Sequence, residues 1–406
     1  MKIDLFIAKK IFFSKEKTFS KFIVRIATIA VTLSVAVMIF SVSLVNGFQK
    51  EIASKVYGYF GQIQITKFGF GNSFDNDPIN IQQPFYTKYT TIDNVKHIQV
   101  FAYKPGILKT AEQIEGIILK GAGKDFSWNY INNHLTEGKI LDVKNISVQN
   151  EIMLSRYTAQ RLGLKHNDKV ALHFMQSPPR VRNMTVVGIY NTGMEEFDKL
   201  YALTDIRHIQ QLNEWNENQV AGFEVFLKNK NLIDQTADDI TYNHLSTELT
   251  AQTIMEIRPN IFDWLKLQDM NELIILILMI AVACINMITC ILIIILERGT
   301  MIGVLKAMGG SNRVIRSIFI YNSLYIVGLG LLWGNFFGIG LTLAQKYFRF
   351  ITLSEESYYV KYAPVDFDVL NVLLINGATF FICFFALLIP SYLVSNISPV
   401  KVLRFE

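Results

Sequence analysis

Residues 273–296 read LIILILMIAVACINMITCILIIIL, twenty-four consecutive positions without an Asp, Glu, Lys, Arg or His. About 20 mostly apolar residues cross the hydrocarbon of a bilayer as one helix. Three further stretches are equally free of charge: residues 26–49, 317–345 and 369–400. Over all 406 residues, 51% are hydrophobic and 18% charged, where a soluble domain is about a quarter charged. A purely soluble or secreted protein is excluded, and so are a disordered chain and a disulfide scaffold. A membrane β-barrel is excluded as well, because its strands are short and alternate.

The remaining charge is unevenly spread. Residues 1–25 carry seven Lys or Arg against Asp4 and Glu16, and residues 297–316 carry Arg298, Lys306, Arg313 and Arg316 against Glu297. Residues 346–368 carry three basic against four acidic side chains. Basic segments stay in the cytoplasm, so four spans with both termini inside are expected, with residues 50–272 outside. The expected divisions are a cytoplasmic interfacial helix at 1–25, in which Ile3, Phe6, Ile7, Ile11 and Phe12 stand among lysines, and spans at 26–49, 273–296, 317–345 and 369–396. A cytoplasmic loop at 297–316, an outer loop at 346–368 and a tail at 397–406 complete the chain. A basic start followed at once by a span argues against nucleic acid as a partner.

The outer segment reads as mixed α/β. Alternation marks strands at 61–66, 117–120, 170–174 and 184–190. Residues 155–164 read as a helix closed by Gly163, and residues 204–212 as another, capped by Thr204. Polar helix formers follow the first span, and apolar residues at helical spacing over 260–267 precede the second. The outer domain is therefore expected on two helical stalks. In the third span Gly330, Gly334 and Gly338 form two overlapping G-x-x-x-G steps, the spacing of a close helix-packing face. Pro390 marks a kink or exit of the fourth span.

Several chemistries have no carrier in this sequence. The nearest approach to a phosphate-binding loop, Gly121-Ala122-Gly123-Lys124-Asp125, has Ile118 in place of the first glycine and Asp125 in place of the Mg²⁺-binding hydroxyl. The six histidines are scattered, without metal-ligand spacing. No span holds a carboxylate or lysine, the usual mark of an ion path. Cys284, Cys290 and Cys383 all lie in spans, where they read as small apolar side chains. No catalytic residue, metal or cofactor is expected in the chain.

Short segments carry a family likeness in order. Val45-Asn46-Gly47-Phe48-Gln49-Lys50-Glu51 leaves the first span, followed by Leu119-Lys120-Gly121 and then by Leu162-Gly163-Leu164 with Asp168-Lys169-Val170. Next come Val186-Val187-Gly188-Ile189-Tyr190-Asn191-Thr192-Gly193-Met194, the stretch Ile302-Gly303-Val304-Leu305-Lys306-Ala307-Met308-Gly309-Gly310, Tyr358-Tyr359-Val360 before Pro364-Val365, and Pro399 with Leu403-Arg404. Through nearly its whole length the chain resembles the LolC/LolE-type lipoprotein-releasing permeases, within the MacB/FtsX group of ABC transporter membrane subunits.

That resemblance implies four transmembrane α-helices plus a large extracytoplasmic mixed α/β domain on helical stalks, in the inner (plasma) membrane of a Gram-negative-type bacterium. It implies a separate cytosolic ABC ATPase holding the ATP and Mg, a second permease subunit, a lipoprotein substrate and a periplasmic lipoprotein carrier. Contact with the ATPase would fall on Glu297, Arg298, Ile302, Gly303, Leu305, Lys306, Ala307, Gly309 and Gly310, with Ile302, Val304 and Leu305 as an apolar face and the glycines at turns or close approaches. Met301 stands where the family has an acidic residue. The family's carrier-docking hook corresponds to a short loop here, with Gln176, Pro178, Pro179, Arg180 and Arg182. An acyl-bearing substrate needs an apolar cleft open to lipid, and Val45, Phe48, Ile52, Phe262, Leu265, Leu267 and Met270 are the candidates where stalks meet spans. The alternatives on the same architecture are a MacB-like exporter of another substrate and an FtsX-like mechanotransmitter regulating a periplasmic hydrolase.

Overall fold

The computed structural model describes residues 19–69 and 77–393. Residues 1–18 of the expected interfacial helix and the expected tail at 397–406 lie outside the described residues, as do Pro399, Leu403 and Arg404. The described residues begin with helix α1 (Phe19–Phe60). Twelve strands follow: β1 (Ile63–Lys67), β2 (Ile79–Asn80), β3 (Val95–Lys109), β4 (Ile114–Ala122), β5 (Leu135–Gly138), β6 (Glu151–Ser155), β7 (Lys169–Phe174), β8 (Arg180–Tyr190), β9 (Tyr201–Asp205), β10 (Gln219–Val220), β11 (Gly222–Leu227) and β12 (Leu249–Thr253). Among the helices between them, α2 (Arg156–Leu162) and α3 (Ile206–Leu212) matter below. Then come α4 (Pro259–Glu297), α5 (Gly299–Ala307), α6 (Asn312–Phe348) and α7 (Val369–Leu393). The chain divides into two compact units, one of residues 1–50, 265–352 and 362–406 and one of residues 51–264 and 353–361.

Among the described residues the helices long and apolar enough to cross a membrane are α1, α4, α6 and α7, and their apolar spans lie in the first unit. The expected spans at 26–49, 273–296 and 317–345 fall inside α1, α4 and α6, and α7 covers residues 369–393 of the fourth, whose remainder lies outside the described residues. At 1.5 Å per residue, the 42-residue α1 is roughly 60 Å long, about twice the hydrocarbon thickness. Its inward stripe is Ala27, Val31, Val35 and Ile39, four residues apart, and packs with Met287, Cys290 and Ile294 of α4 and Phe319 and Ile326 of α6. Outward-facing Leu273, Ile277, Phe336, Leu373 and Phe385 are at least half exposed in the chain alone, as lipid-facing residues are. The glycine stripe of α6 packs on α1. A Cβ added at Gly330 or Gly334 would stand 2.6 Å from Val31 or Val35, and one at Gly338 3.0 Å from Ile39. The stripe on one helix thus matches every fourth residue on the other. Gly328 and Gly340 face open space. Asn335 of α6 and Asn376 of α7 exchange amide hydrogen bonds of 2.7 and 2.8 Å, the polar adhesive expected where water is absent. Pro390 lies inside α7.

The second unit is built on one sheet ordered β12-β1-β11-β3-β4-β9-β6-β8-β5. β7 pairs with both β3 and β8, so β3, β4, β9, β6, β8 and β7 close into a six-strand ring. Within the ring β4–β9 and β6–β8 run parallel and the other pairs antiparallel. β7 alternates buried and partly exposed residues, whereas β9 is buried throughout. α2 forms as its sequence dictates: the Ser155 hydroxyl accepts from Thr158 N–H at its start, and Gly163 ends it at φ +66°. The expected helix at 204–212 is corrected. Thr204 is the penultimate residue of β9, and Asp205 caps α3 by accepting from the Arg207 N–H. The carboxylate of Asp205 also binds the Arg207 guanidinium, which a threonine could not do.

The Asn191-Thr192-Gly193-Met194 segment wraps a buried carboxylate. Thr192 gives its N–H and hydroxyl to Asp198, and Gly193 takes φ +68°. Burial pushes the Asp198 carboxyl up to about 6, against the pull of those hydrogen bonds. Beside it Lys55, near the end of α1, donates to the Tyr359 carbonyl at 2.8 Å, joining residues 353–361 to this unit.

Candidate coupling and docking sites

α5 is a nine-residue helix of the first unit. Ile302 and Gly303 are buried, and Met301 and Leu305 pack against the membrane-helix core. Met301 is therefore an apolar packing residue at this position, which a carboxylate could not be. Val304 is 46% and Met308 71% exposed. The expected apolar face of Ile302, Val304 and Leu305 needs correction, because residues two apart on a helix point in nearly opposite directions. The structure turns Ile302 inward and leaves Val304, Ala307 and Met308 outward. Gly303 lies in the helix interior, not at a turn. Gly309 does make a turn, at φ +90°, and Gly310 N–H returns to the Leu305 carbonyl at 2.8 Å, closing α5 as a glycine C-cap does. A Cβ at Gly310 would stand 2.7 Å from that carbonyl oxygen. Glu297, Arg298 and Lys306 are partly exposed along the same segment. Ser311 then caps α6.

The expected hook is smaller than the sequence suggests. Phe174 pairs with Arg180 in the β7–β8 hairpin, so only residues 175–179 form the loop, and Arg180 and Arg182 lie on β8. Gln176 donates to the Leu212 carbonyl at 3.2 Å, and Arg180 to the Gln211 carbonyl at 3.0 Å and to Glu214. These carbonyls end α3, where no intrahelical donor remains. Gln176 and Arg180 thus cap a neighbouring helix, while Met175 (86% exposed), Pro178 and Pro179 stand out.

Of the expected acyl-cleft residues, Val45, Phe48 and Leu265 are buried in the first unit, and Leu267 and Met270 are more than half exposed there. Ile52 and Phe262 are buried in the second, where Phe262 stacks on Tyr57 at 5.9 Å. Five of the seven are packing residues, leaving Leu267 and Met270 as outward apolar side chains. A cleft of about 1110 Å³ does open in the second unit, lined by Lys109, Gln113, Arg161, Asp168, Asn183 and Thr185 among others. Polar and apolar side chains share its walls, Leu162, Leu164 and Val170 among the latter. Among the described residues no three His, Cys, Asp or Glu side chains gather as metal ligands.

Four membrane helices, an outer α/β unit and a short helix between the second and third spans define a permease of a particular build. Residues 26–242 match the MacB-like periplasmic core domain and residues 273–399 the FtsX-like permease C-terminal region, so the chain belongs to the MacB/FtsX family of ABC transporter permeases. It is similar to the lipoprotein-releasing system transmembrane protein LolC of Neisseria meningitidis, 25% identical over 413 residues covering 97% of this chain and 96% of that protein. It is also similar to LolE of Haemophilus influenzae, 22% identical over 94% of each chain. The periplasmic region of MacB from Actinobacillus actinomycetemcomitans aligns with 49% of this chain and 92% of its own, at 13% identity and a TM-score of 0.35.

Proposed function

We propose that this chain is the permease subunit of a transporter that extracts lipoproteins from the outer leaflet of the inner membrane and passes them to a periplasmic carrier. ATP and Mg are bound by a separate cytosolic ATPase, and a second permease subunit, this chain or a paralogue, completes the membrane part. Both termini and α5 are cytoplasmic. The reading is supported by the full-length likeness to LolC and LolE, and the observation that carries the coupling is the outward apolar pair Val304 and Met308 on α5. A short helix with such a face fits a groove in a partner. The lysine and arginine at its ends supply charge at the rim. Leu267 and Met270 are the outward apolar residues open to an acyl chain, each buried methylene contributing about 0.8 kcal/mol.

The test is Val304→Glu with Met308→Glu in the full complex. Neither side chain is needed to hold the membrane core, so insertion and melting should be unchanged. Co-purification of the ATPase should be lost, and lipoprotein release should fall at least to about a tenth, the consequence of some 1.4 kcal/mol of lost contact. Normal release by the double variant would sink the proposal that α5 docks the ATPase.

A further inference from the structure

The end of α1 is set in a cluster that no part of the proposed transport cycle uses. Phe60, its last residue, is buried in the second unit. The last carbonyls of a helix have no donor within it, and here the Tyr59 carbonyl accepts from the Lys120 ammonium. A cation is favoured at the negative end of the helix dipole. Lys120 lies two residues before the end of β4, and its counter-ion is Glu224 of β11 at 2.7 Å, both side chains at most 1% exposed. Glu224 also accepts from Gln99 of β3 at 2.8 Å. One charged pair therefore crosses three adjacent strands beneath the end of α1.

A second cation meets the same ring. Lys120 Nζ lies 5.2 Å from the centre of the Phe60 ring and the Arg258 guanidinium carbon 5.1 Å from it. Arg258 directly precedes Pro259, the first residue of α4. It also donates to the Tyr201 hydroxyl of β9 and lies 5.7 Å from that ring. Two cations thus share one aromatic ring, and Lys120 alone has the Glu224 carboxylate. The aromatic faces and the helix end offset the excess positive charge. A buried ion pair of this kind seldom adds stability over apolar packing, but it does fix geometry.

We propose that Lys120, Glu224, Phe60 and Arg258 form a joint that ties the C-terminal end of α1 and the N-terminal end of α4 to one sheet. A displacement of either helix end then passes to the other through the Phe60 ring. An apolar core would pack the same space but would let the two ends shift separately.

The experiment follows amide hydrogen exchange by mass spectrometry in the full chain, held in nanodiscs of phosphatidylethanolamine and phosphatidylglycerol. Peptides covering residues 51–60 and 259–264 report the helix ends, and β6 reports the fold. Arg258→Met should speed exchange at both ends by about tenfold while β6 keeps its protection. Phe60→Leu should do the same. Lys120→Met with Glu224→Leu, which removes the pair without stranding a charge, should release the α1 end. Arg258→Lys keeps a cation over the ring and should restore protection at both ends. Exchange that rises only beside each substitution would overturn the joint. Loss of protection throughout, β6 included, in both Arg258→Met and Phe60→Leu would overturn it too, because the cluster would then hold the fold instead of linking two helices.

Discussion

Asp198 illustrates how much one buried side chain can carry. It is 3% exposed, yet nothing near it neutralises it fully, and its carboxyl sits at about 6. An unfolded Asp titrates near ~3.9. Between these values the folded protein holds a proton that the unfolded chain has lost, so this group's contribution to stability is present below about pH 4 and is lost as pH rises through about 6. Asp198→Asn cannot ionise and can still accept from the Thr192 N–H. The variant should melt like the parent at pH 4 and gain on it up to pH 7, by on the order of 1 kcal/mol or more. Melting curves of the full chain across that range check this, and a parent that gains on the variant with rising pH would refute it. The reasoning rests on burial, and burial is what the sequence conceals: Asp198 reads there as one acid among Glu195 and Glu196.

Elements whose signals are local were legible. The uncharged runs became α1, α4, α6 and α7, and Ser155 and Gly163 bracketed α2 as their types require. The G-x-x-x-G steps announced a close helix contact, and the structure supplies its partner, α1. That contact makes a sharp contrast testable. Gly334→Leu drives a side chain into Val35, and overpacking of this kind costs about 1–3 kcal/mol. Gly340→Leu, six residues further on, meets nothing within 4 Å and should be neutral. Melting in detergent of the two variants decides; equal behaviour would mean that α1 and α6 do not pack through glycine. Features whose deciding partner is remote in sequence are not legible in it. The face of α5 depends on which side meets the membrane core, which no local spacing states, and Ile302 turns inward. Gln176 and Arg180 looked like free hook residues because the α3 carbonyls they cap lie more than thirty positions away. Lys120 and Glu224 announce no pairing at all along the chain.

Across the whole molecule, the alternation of basic and neutral segments is the strongest statement the sequence makes about orientation, and it is open to direct test. Reporter domains fused after residue 200 or after residue 357 should be active only outside the cytoplasm. Fusions at residue 310 or at the C-terminus should be active only inside. An external reporter at residue 310 would remove the four-span arrangement and with it the cytoplasmic role of α5.

The closed circuit of β3, β4, β9, β6, β8 and β7 has a mechanical meaning. A sheet with loose margins fails under load by unzipping, one hydrogen bond after another, starting from its outermost strand. A closed circuit offers no such starting point, since every member is held on both sides. Tension that reaches it through the Lys120 contact with the end of α1 must strain many hydrogen bonds together, so the ring tilts or travels as a whole before it tears. Such a part is suited to repeated pulling: it can be loaded on every cycle and returned without local unravelling.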